Sequence, residues 1–324
     1  MLSRQSPDRT LTSPSLHAAA SRIVDGLQRR SAILLQPRHG FPDIPPHGLP
    51  ASLGRIGALE VRLARTRHEV KQAQQLRFRV FCEEMSAVPD LVSRLKRRDI
   101  DPYDPVCDHL LVIDHAAPPR HRIGRKGLRL VPAIVGTYRL LRQERAVAAG
   151  GFYSAGEFDI EPMLRAHPGR TFLELGRSCV LPPYRDKRTI ELLWHGIWTY
   201  VLHHGIDVMF GCASIEGTDA LRHAPALGFL HHHARAPEPW RVSALPGRAV
   251  PMDTLPATAI DQRRALHELP PLIKGYLRIG ARIGDGAVVD DRFGTTDVLV
   301  VLPVELINKR YIGHFGADAS RHAA

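Results

Sequence analysis

The sequence predicts an α/β (α+β) domain in which a mixed, largely antiparallel central sheet is flanked by helices, and three observations predict it. From residue 58 onward, short runs rich in Val, Ile and Leu alternate with longer segments whose apolar residues recur at helical spacing. Three of the strand-like runs follow one another with loops but no helix between them, as antiparallel neighbours allow. A strand at 171–180, a helix from about Thr189 to His204 and a strand at 207–214 then form a β-α-β step, which calls for a parallel pair.

Each element has a local reason. "ALEVRLAR" reads as the first strand, and "RHEVKQAQQLRFRVFCEEM" places Val70, Ala73, Leu76, Val80 and Phe81 along a helix face. The acidic, turn-rich "DIDPYDPVCD" leads into the strand "HLLVID". A loop rich in Pro and Arg precedes the strand "AIVGTYRLL" at 133–141, and "TFLELGRSCV" is the fourth strand. After the fifth, "DVMFGCAS", a short helix is expected in "TDALRHAPALGFL", capped by Thr218 or Asp219. The last portion adds a helix in "PPLIKGYLRIGARIG", with Pro before its first turn and Gly near its end, and a strand in "VLVVLP". Trp194, Ile197, Trp198 and Val201 recur at helical spacing, which reads as core packing the long helix on the sheet or, for part of that wall, as the lining of an acyl-chain tunnel. Residues 1–55 lack such periodicity, hold five prolines between 37 and 50, and read as a flexible Arg/Pro-rich arm. The folded domain is expected over 56–316, including a C-terminal α/β portion at 255–316, with a disordered tail at 317–324.

The formal net charge is +11 and the pI about 9.9, which suits an acidic partner, an anionic lipid surface or nucleic acid. Nucleic acid is set aside: 38 of the 44 basic residues are Arg, and no long Lys/Arg block alternates with aromatics. No apolar run approaches the ~18–20 residues that span a bilayer, so membrane contact is expected to be peripheral. Four cysteines, Cys82, Cys107, Cys179 and Cys212, show no C-x-x-C pairing and read as reduced thiols of a cytoplasmic protein; no export signal is recognisable. His231, His232 and His233 lack an i, i+4 partner with a carboxylate, so they read as a loop cluster and no metal site is expected.

One stretch asks for a ligand. In "RSCVLPPYRDKRTIELLWHGIW" a strand runs through two prolines into Arg185, Asp186, Lys187 and Arg188 and then into the long helix. A helix N-terminus offers unpaired N–H groups and a positive dipole end, and three cations with Asp186 as N-cap make it a focus for phosphate or carboxylate. A solvated turn would leave the same residues in the same places.

The order β-α-β-β-β-α-β-α, with that basic loop after the fourth strand, resembles the GNAT superfamily of N-acyltransferases. The resemblance implies that strands four and five splay apart to accept a pantetheine arm, and that the following loop holds the donor's phosphate. The usual loop motif, Q/R-x-x-G-x-G/A, keeps Arg185 in first place but has Arg188 and Ile190 at its small positions. That departure suits a single 4′-phosphopantetheine on an acyl carrier protein better than a wrapped coenzyme A. "LRFRVFCEEM", "DIDPYDPVCDHLLVID", "VGTYRLL", "LELGRSCVLPPYRDKRTIELLWHGIW", "LPPLIKGYLRIGA" and "DDRFGTTDVLVVLP" together resemble the branch containing bacterial L-ornithine N-α-acyltransferases, over about 60–316. The branch implies a 3-hydroxyacyl carrier protein as donor, ornithine as acceptor and lyso-ornithine lipid as product. It also implies no permanently bound cofactor and transient contact with the inner membrane face.

Candidate residues follow from the chemistry. Amine attack on a thioester needs a proton acceptor, and Glu174, on the strand beside the donor slot, is the candidate general base. Arg177 is the second catalytic candidate; it and Arg139 lie on neighbouring strands, where either could clamp a carboxylate or merely pair with Glu174. Val180, Arg185, Lys187, Arg188 and Thr189 are the expected donor contacts. Asp101, Asp104 and Asp108, with His109 adjoining, form an acidic cluster suited to the cationic groups of ornithine. Direct attack is favoured over relay through Cys179, which has no activating neighbour in sequence. The rivals are a related acyltransferase on another amine, such as a homoserine-lactone-type synthase, and a non-catalytic module that binds carrier protein or membrane.

Overall fold

The computed structural model describes residues 48–118, 120–124, 127–131 and 133–307. Most of the expected arm, up to residue 47, and the whole expected tail at 317–324 lie outside the described residues. The first half runs β1 (Gly54–Ile56), β2 (Leu59–Leu63), α1 (Arg67–Phe78), α2 (Leu91–Lys96), β3 (Asp108–Asp114), β4 (Arg120–Gly124), β5 (Gly127–Val131), β6 (Ala133–Arg142), α3 (Gln143–Ala148), β7 (Phe158–Asp159) and α4 (Glu161–Ala166). The second half runs β8 (Phe172–Val180), α5 (Lys187–His204), β9 (Val208–Glu216), α6 (Ala224–Ala234), β10 (Ser243–Ala244), β11 (Ala249–Val250), α7 (Gln262–Glu268), α8 (Pro271–Ile279), β12 (Arg282–Ile283), β13 (Ala287–Asp290) and β14 (Thr295–Pro303).

A ten-stranded sheet in the order β1-β2-β3-β6-β8-β9-β14-β13-β11, with β12 also on β14, organises the chain. Its ladders are antiparallel except β8 on β9, so the predicted mixed sheet and its β-α-β step are both present. Period-two alternation lets the central strands serve two cores. Leu110 and Val112 of β3 join Leu192, Ile197 and Val201 of α5 on one face. Leu111 and Ile113 meet Val70 and Ala73 of α1 on the other. In β14, Val298, Val300 and Leu302 face the α5 side, while Leu299 and Val301 pack with Phe172, Phe210 and Trp240. The C-terminal portion is thus part of the main sheet.

Local chemistry sets the boundaries. Asp186 caps α5 as expected, accepting from the Thr189 N–H at 2.9 Å, and Thr66 caps α1. α8 ends at Gly280, whose φ of 105° closes the helix in the left-handed region. Elsewhere the structure corrects the expectation. The first strand is a hairpin whose β1 begins at Gly54, inside the supposed arm. The Pro/Arg-rich loop contains the β4–β5 hairpin. α1 gives way to a π-helical turn at Arg79–Glu84. α6 starts at Ala224, not after Thr218 or Asp219, because Pro225 is tolerated only in a first turn; Asp219 instead accepts from the Leu221 and Arg222 N–H groups. His231–His233 form the last turn of α6, with His231 near Asp285 and His232 on the Leu255 carbonyl.

The decisive feature is a fork. β8 pairs with β9 only at Phe172↔Val208, Leu173↔Met209 and Glu174↔Phe210. Beyond that, β8 continues along β6 to Val180, while β9 continues along β14 for its whole length. Gly211 sits where the strands part, and a Cβ there would overlap the Leu175 carbonyl oxygen. Gly211→Ala is therefore expected to cost about 1–3 kcal/mol, read as a lower denaturation midpoint, whereas Gly150→Ala, with open space around its Cβ position but a φ of 87°, tests backbone strain alone.

Candidate active site

The fork opens a cleft of about 530 Å³. One wall is the unpaired edge of β8 from Leu175 to Val180, and the other carries Cys212, Ala213 and Ser214 of β9. Ile190, Leu193 and Trp194, one inward stripe of α5, line it together with Pro271 and Leu272 of α8. Phe81, Met85 and Ala87 line the side nearest α1, and the β13–β14 hairpin supplies Asp290, Phe293, Thr295 and Asp297. The wall is mostly apolar, broken by charges at a few defined points.

At its centre lies a β-bulge. The β6–β8 register jumps between Thr137↔Cys179 and Arg139↔Gly176, so that Arg177 and Ser178 both stand opposite Tyr138. Arg177 takes a φ of 52°, uncommon for a side-chain-bearing residue. Its side chain holds it there: the guanidinium donates to Asp101 at 3.0 Å and to the Tyr153 hydroxyl at 3.3 Å, and lies 4.7 Å from the ring centres of both Tyr153 and Phe293.

Arg177 belongs to a buried lattice of opposite charges. Arg77, fully buried, donates to Asp99 and Asp104 at 2.8 Å each, and Arg139 donates to Asp101 at 2.7 Å. Burial alone would raise the Asp104 carboxyl, but Arg77 outweighs it and holds it well below the usual carboxylate range. Burial likewise opposes ionisation of Asp101, and Arg139 with Arg177 overcomes it.

This lattice takes up two of the expected acceptor residues. Asp101 and Asp104 are already neutralised by arginines, and neither lines the cleft. Asp108 points elsewhere, accepting from the Tyr200 hydroxyl at 2.6 Å with Arg142 at 3.8 Å. His109 is buried with Nε2 on the Asp104 carbonyl at 2.9 Å, and burial lowers its pKa. Arg139 and Arg177 do line the cleft.

Glu174 also lines the cleft, but its carboxylate pairs with neither arginine. It accepts from the Tyr153 and Ser154 N–H groups at 2.7 Å each and from the Ser154 hydroxyl. Burial raises its pKa, and the Ser154 hydrogen bonds offset that only in part. Three of a carboxylate's roughly four acceptor positions are thus filled. Ser154 is on the cleft wall beside Glu174, with its hydroxyl hydrogen-bonded to that carboxylate.

Of the expected donor contacts, Val180 and Arg185 line the cleft, whereas Lys187, Arg188 and Thr189 do not. Arg185 bridges the Val180 carbonyl at 3.0 Å and Glu84 at 2.5 and 2.7 Å. Lys187 and Arg188 are exposed in the first turn of α5, and Thr189 is fully buried beneath it. Cys179 lines the cleft, and burial pushes its thiol far up, against a nucleophilic role.

Sequence reasoning missed a second acidic group. Glu157, Cys212 and Asp297 bring ligand-capable atoms within 4.8 Å of one another, and Asp290 lies nearby on the cleft wall. Burial, then Asp297, pushes Glu157 up to about 7, and burial, with Asp290 contributing, also raises Asp297. The nearest cation, Arg248, is 3.7 Å from Glu157. Unlike the lattice aspartates, these carboxylates lack full compensation. Their separation in the chain hid them; the signal for Asp290 and Asp297 was the acidic "DDRFGTTD" leading into the last strand.

Residues 76–195 match the family described as acetyltransferase (GNAT) domain. Over 270 residues the chain is 54% identical to the L-ornithine N(alpha)-acyltransferase of Brucella abortus (strain 2308), covering 83% of this chain and 92% of that protein. The L-ornithine N(alpha)-acyltransferase of Rhizobium meliloti (strain 1021) is 54% identical over 277 residues, 85% of this chain and 90% of its own. Among solved structures, an N-acyl amino acid synthase from uncultured soil microbes aligns at 11% identity with a TM-score of 0.43, over 76% of this chain and 91% of that chain. A GNAT fold with its forked strands, and this degree of identity over most of the length, place the chain in the L-ornithine N(alpha)-acyltransferase family.

Proposed function

We propose that this protein transfers a 3-hydroxyacyl group from acyl carrier protein to the α-amino group of L-ornithine, giving lyso-ornithine lipid, the first step of ornithine lipid synthesis. The observation that carries the reading is the forked cleft, whose wall holds Arg185, the Arg177 bulge and the sparsely compensated Asp290 and Asp297. Its mostly apolar wall suits an acyl chain.

The phosphopantetheine arm would lie along the unpaired edge of β8 and replace the missing strand partner. Its phosphate would compete with Glu84 for Arg185, with Lys187 and Arg188 steering the acidic carrier protein from outside. Asp290 and Asp297, backed by Glu157, would hold the acceptor's side-chain ammonium, and Arg139 or Arg177 its carboxylate. The α-amine then attacks the thioester carbonyl: the C–N bond forms, the C–S bond breaks and the thiolate leaves with the electron pair. The amine's proton passes through the Ser154 hydroxyl to Glu174, whose raised pKa makes it a better acceptor than an ordinary carboxylate. The thiolate is protonated from solvent.

A mass-spectrometric assay tests this, offering 3-hydroxyacyl carrier protein or the matching acyl-coenzyme A against ornithine, lysine, glycine and S-adenosylmethionine. Acyl-ornithine from the carrier protein is expected; no acyl-amine from any pairing would leave a binding module. Glu174→Gln is expected to lower kcat by about 10²–10⁴-fold and to remove the fall in rate as pH drops through the Glu174 pKa. Asp297→Asn is expected to raise the KM for ornithine about 10- to 100-fold while sparing that for carrier protein. Glu84→Gln, which frees Arg185, is expected to lower the KM for carrier protein, and Arg185→Ala to raise it.

Glu157 gives a test without turnover. Its pKa is raised from 4.5 to about 7, so its neutral form contributes stability below pH 4.5 that is lost as pH climbs through about 7. Glu157→Gln should therefore raise Tm more at pH 8 than at pH 5. A bound ammonium would favour the carboxylate, so ornithine binding near pH 6.5 should release protons, measurable by calorimetry in buffers of different ionisation enthalpy.

A further inference from the structure

The segment from Val88 to Arg97 is folded inside out. In α2 the buried residue is Ser93, 1% exposed, while Leu91, Val92 and Leu95 are 70, 50 and 76% exposed and Val88 is 59% exposed. The polar side is where the helix is anchored: Asp90 accepts from the Ser93 N–H at 2.9 Å and from its hydroxyl at 2.7 Å. The Asp99 N–H donates to the Gln74 carbonyl at 3.0 Å, and the Val88 N–H to the Arg292 carbonyl at 2.7 Å. The backbone is therefore fixed from both ends, and the aliphatic side chains project because the fold holds them out. Arg94 and Lys96 are exposed among them, as is Arg97, which pairs with Glu83.

We propose that this face docks on an anionic lipid surface. Val88, Leu91, Val92 and Leu95 enter the boundary between headgroups and acyl chains, while Arg94, Lys96 and Arg97 meet lipid phosphates. Aliphatic tips flanked by Arg94 and Lys96 on a short surface helix, with the neighbouring acids Asp90 and Glu83 already taken by Ser93 and Arg97, are the pattern that lies in a bilayer interface, and six residues are too few for anything deeper. Charge would steer an acidic carrier protein, whereas four protruding aliphatic side chains on a short helix match the acyl boundary of a bilayer. The docked face also adjoins the cleft, since Met85 and Ala87, immediately before Val88, line its wall. An acyl product would then pass from cleft to bilayer without crossing water; that route rests on the function proposed above, whereas the docking rests on the surface alone.

The test is sedimentation of the full chain with vesicles of phosphatidylcholine, with or without phosphatidylglycerol, beside size-exclusion chromatography and carrier-protein kinetics. Wild type is expected to bind phosphatidylglycerol vesicles at least ten times more tightly than neutral ones. Leu91→Glu with Leu95→Glu, and separately Arg94→Glu with Lys96→Glu, are each expected to weaken that binding at least tenfold, with turnover of a soluble short-chain donor unchanged. Leu95→Trp keeps the charges and should show a blue shift of its added fluorescence only with anionic vesicles. The proposal is overturned if wild type ignores vesicles. It also fails if the leucine variants only dissolve a dimer, or if the charge variants raise the KM for carrier protein while vesicle binding persists. Vesicle binding without any acyl-ornithine formation would refute the proposed activity and leave the docking intact.

Discussion

The buried lattice of Arg77, Arg139 and Arg177 with Asp99, Asp101 and Asp104 is the constraint from which the site's geometry follows. Each arginine comes from a different element, α1, β6 and β8, and all three converge on one turn between α2 and β3. Removing such charges from water costs several kcal/mol per ion unless pairing and hydrogen bonds compensate. Here every carboxylate has an arginine partner, so the turn becomes a rigid junction. The bulge at Arg177 depends on it directly, because its left-handed backbone is held by Asp101 and by the Tyr153 and Phe293 rings. Without that anchorage β8 would have no reason to keep an extra residue opposite Tyr138.

A second set of charges in the same cleft follows the opposite rule. Glu157, Asp290 and Asp297 are crowded together with little cationic compensation. Unmatched carboxylates work against folding, and proteins keep such local conflicts chiefly where a ligand resolves them. The contrast between the two sets, one satisfied and one not, is not a matter of burial, since Glu157 and Asp297 are buried like the lattice aspartates.

Much of the fold could be read from the sequence, because its signals are local. The Asp186 cap, the helix stripe of Ile197, Trp198 and Val201 and the β-α-β step each depend on residues within a few turns of one another. That Glu174 and Arg185 share one cleft also followed from strand and loop order. The pairing of Asp101 and Asp104 was not legible, because spacing reveals that they are neighbours but not that Arg77 and Arg139 already occupy them. Asp297 and Glu157 meet only through the β9–β14 ladder and a distant loop. α2 was passed over for another reason: "DLVSRL" has an ordinary amphipathic composition, and nothing in it says that the serine is the side turned inward.

The β9–β14 ladder carries a further consequence, in the order of events during synthesis. β9 emerges from the ribosome some eighty residues before β14, and until then it is held to the sheet by three residue pairs with β8 and is otherwise an open edge. An exposed apolar edge invites pairing with another chain. One wall of the cleft is therefore completed only when almost all of the described chain has been made, and a nascent chain halted before residue 295 has neither a finished slot nor a protected strand.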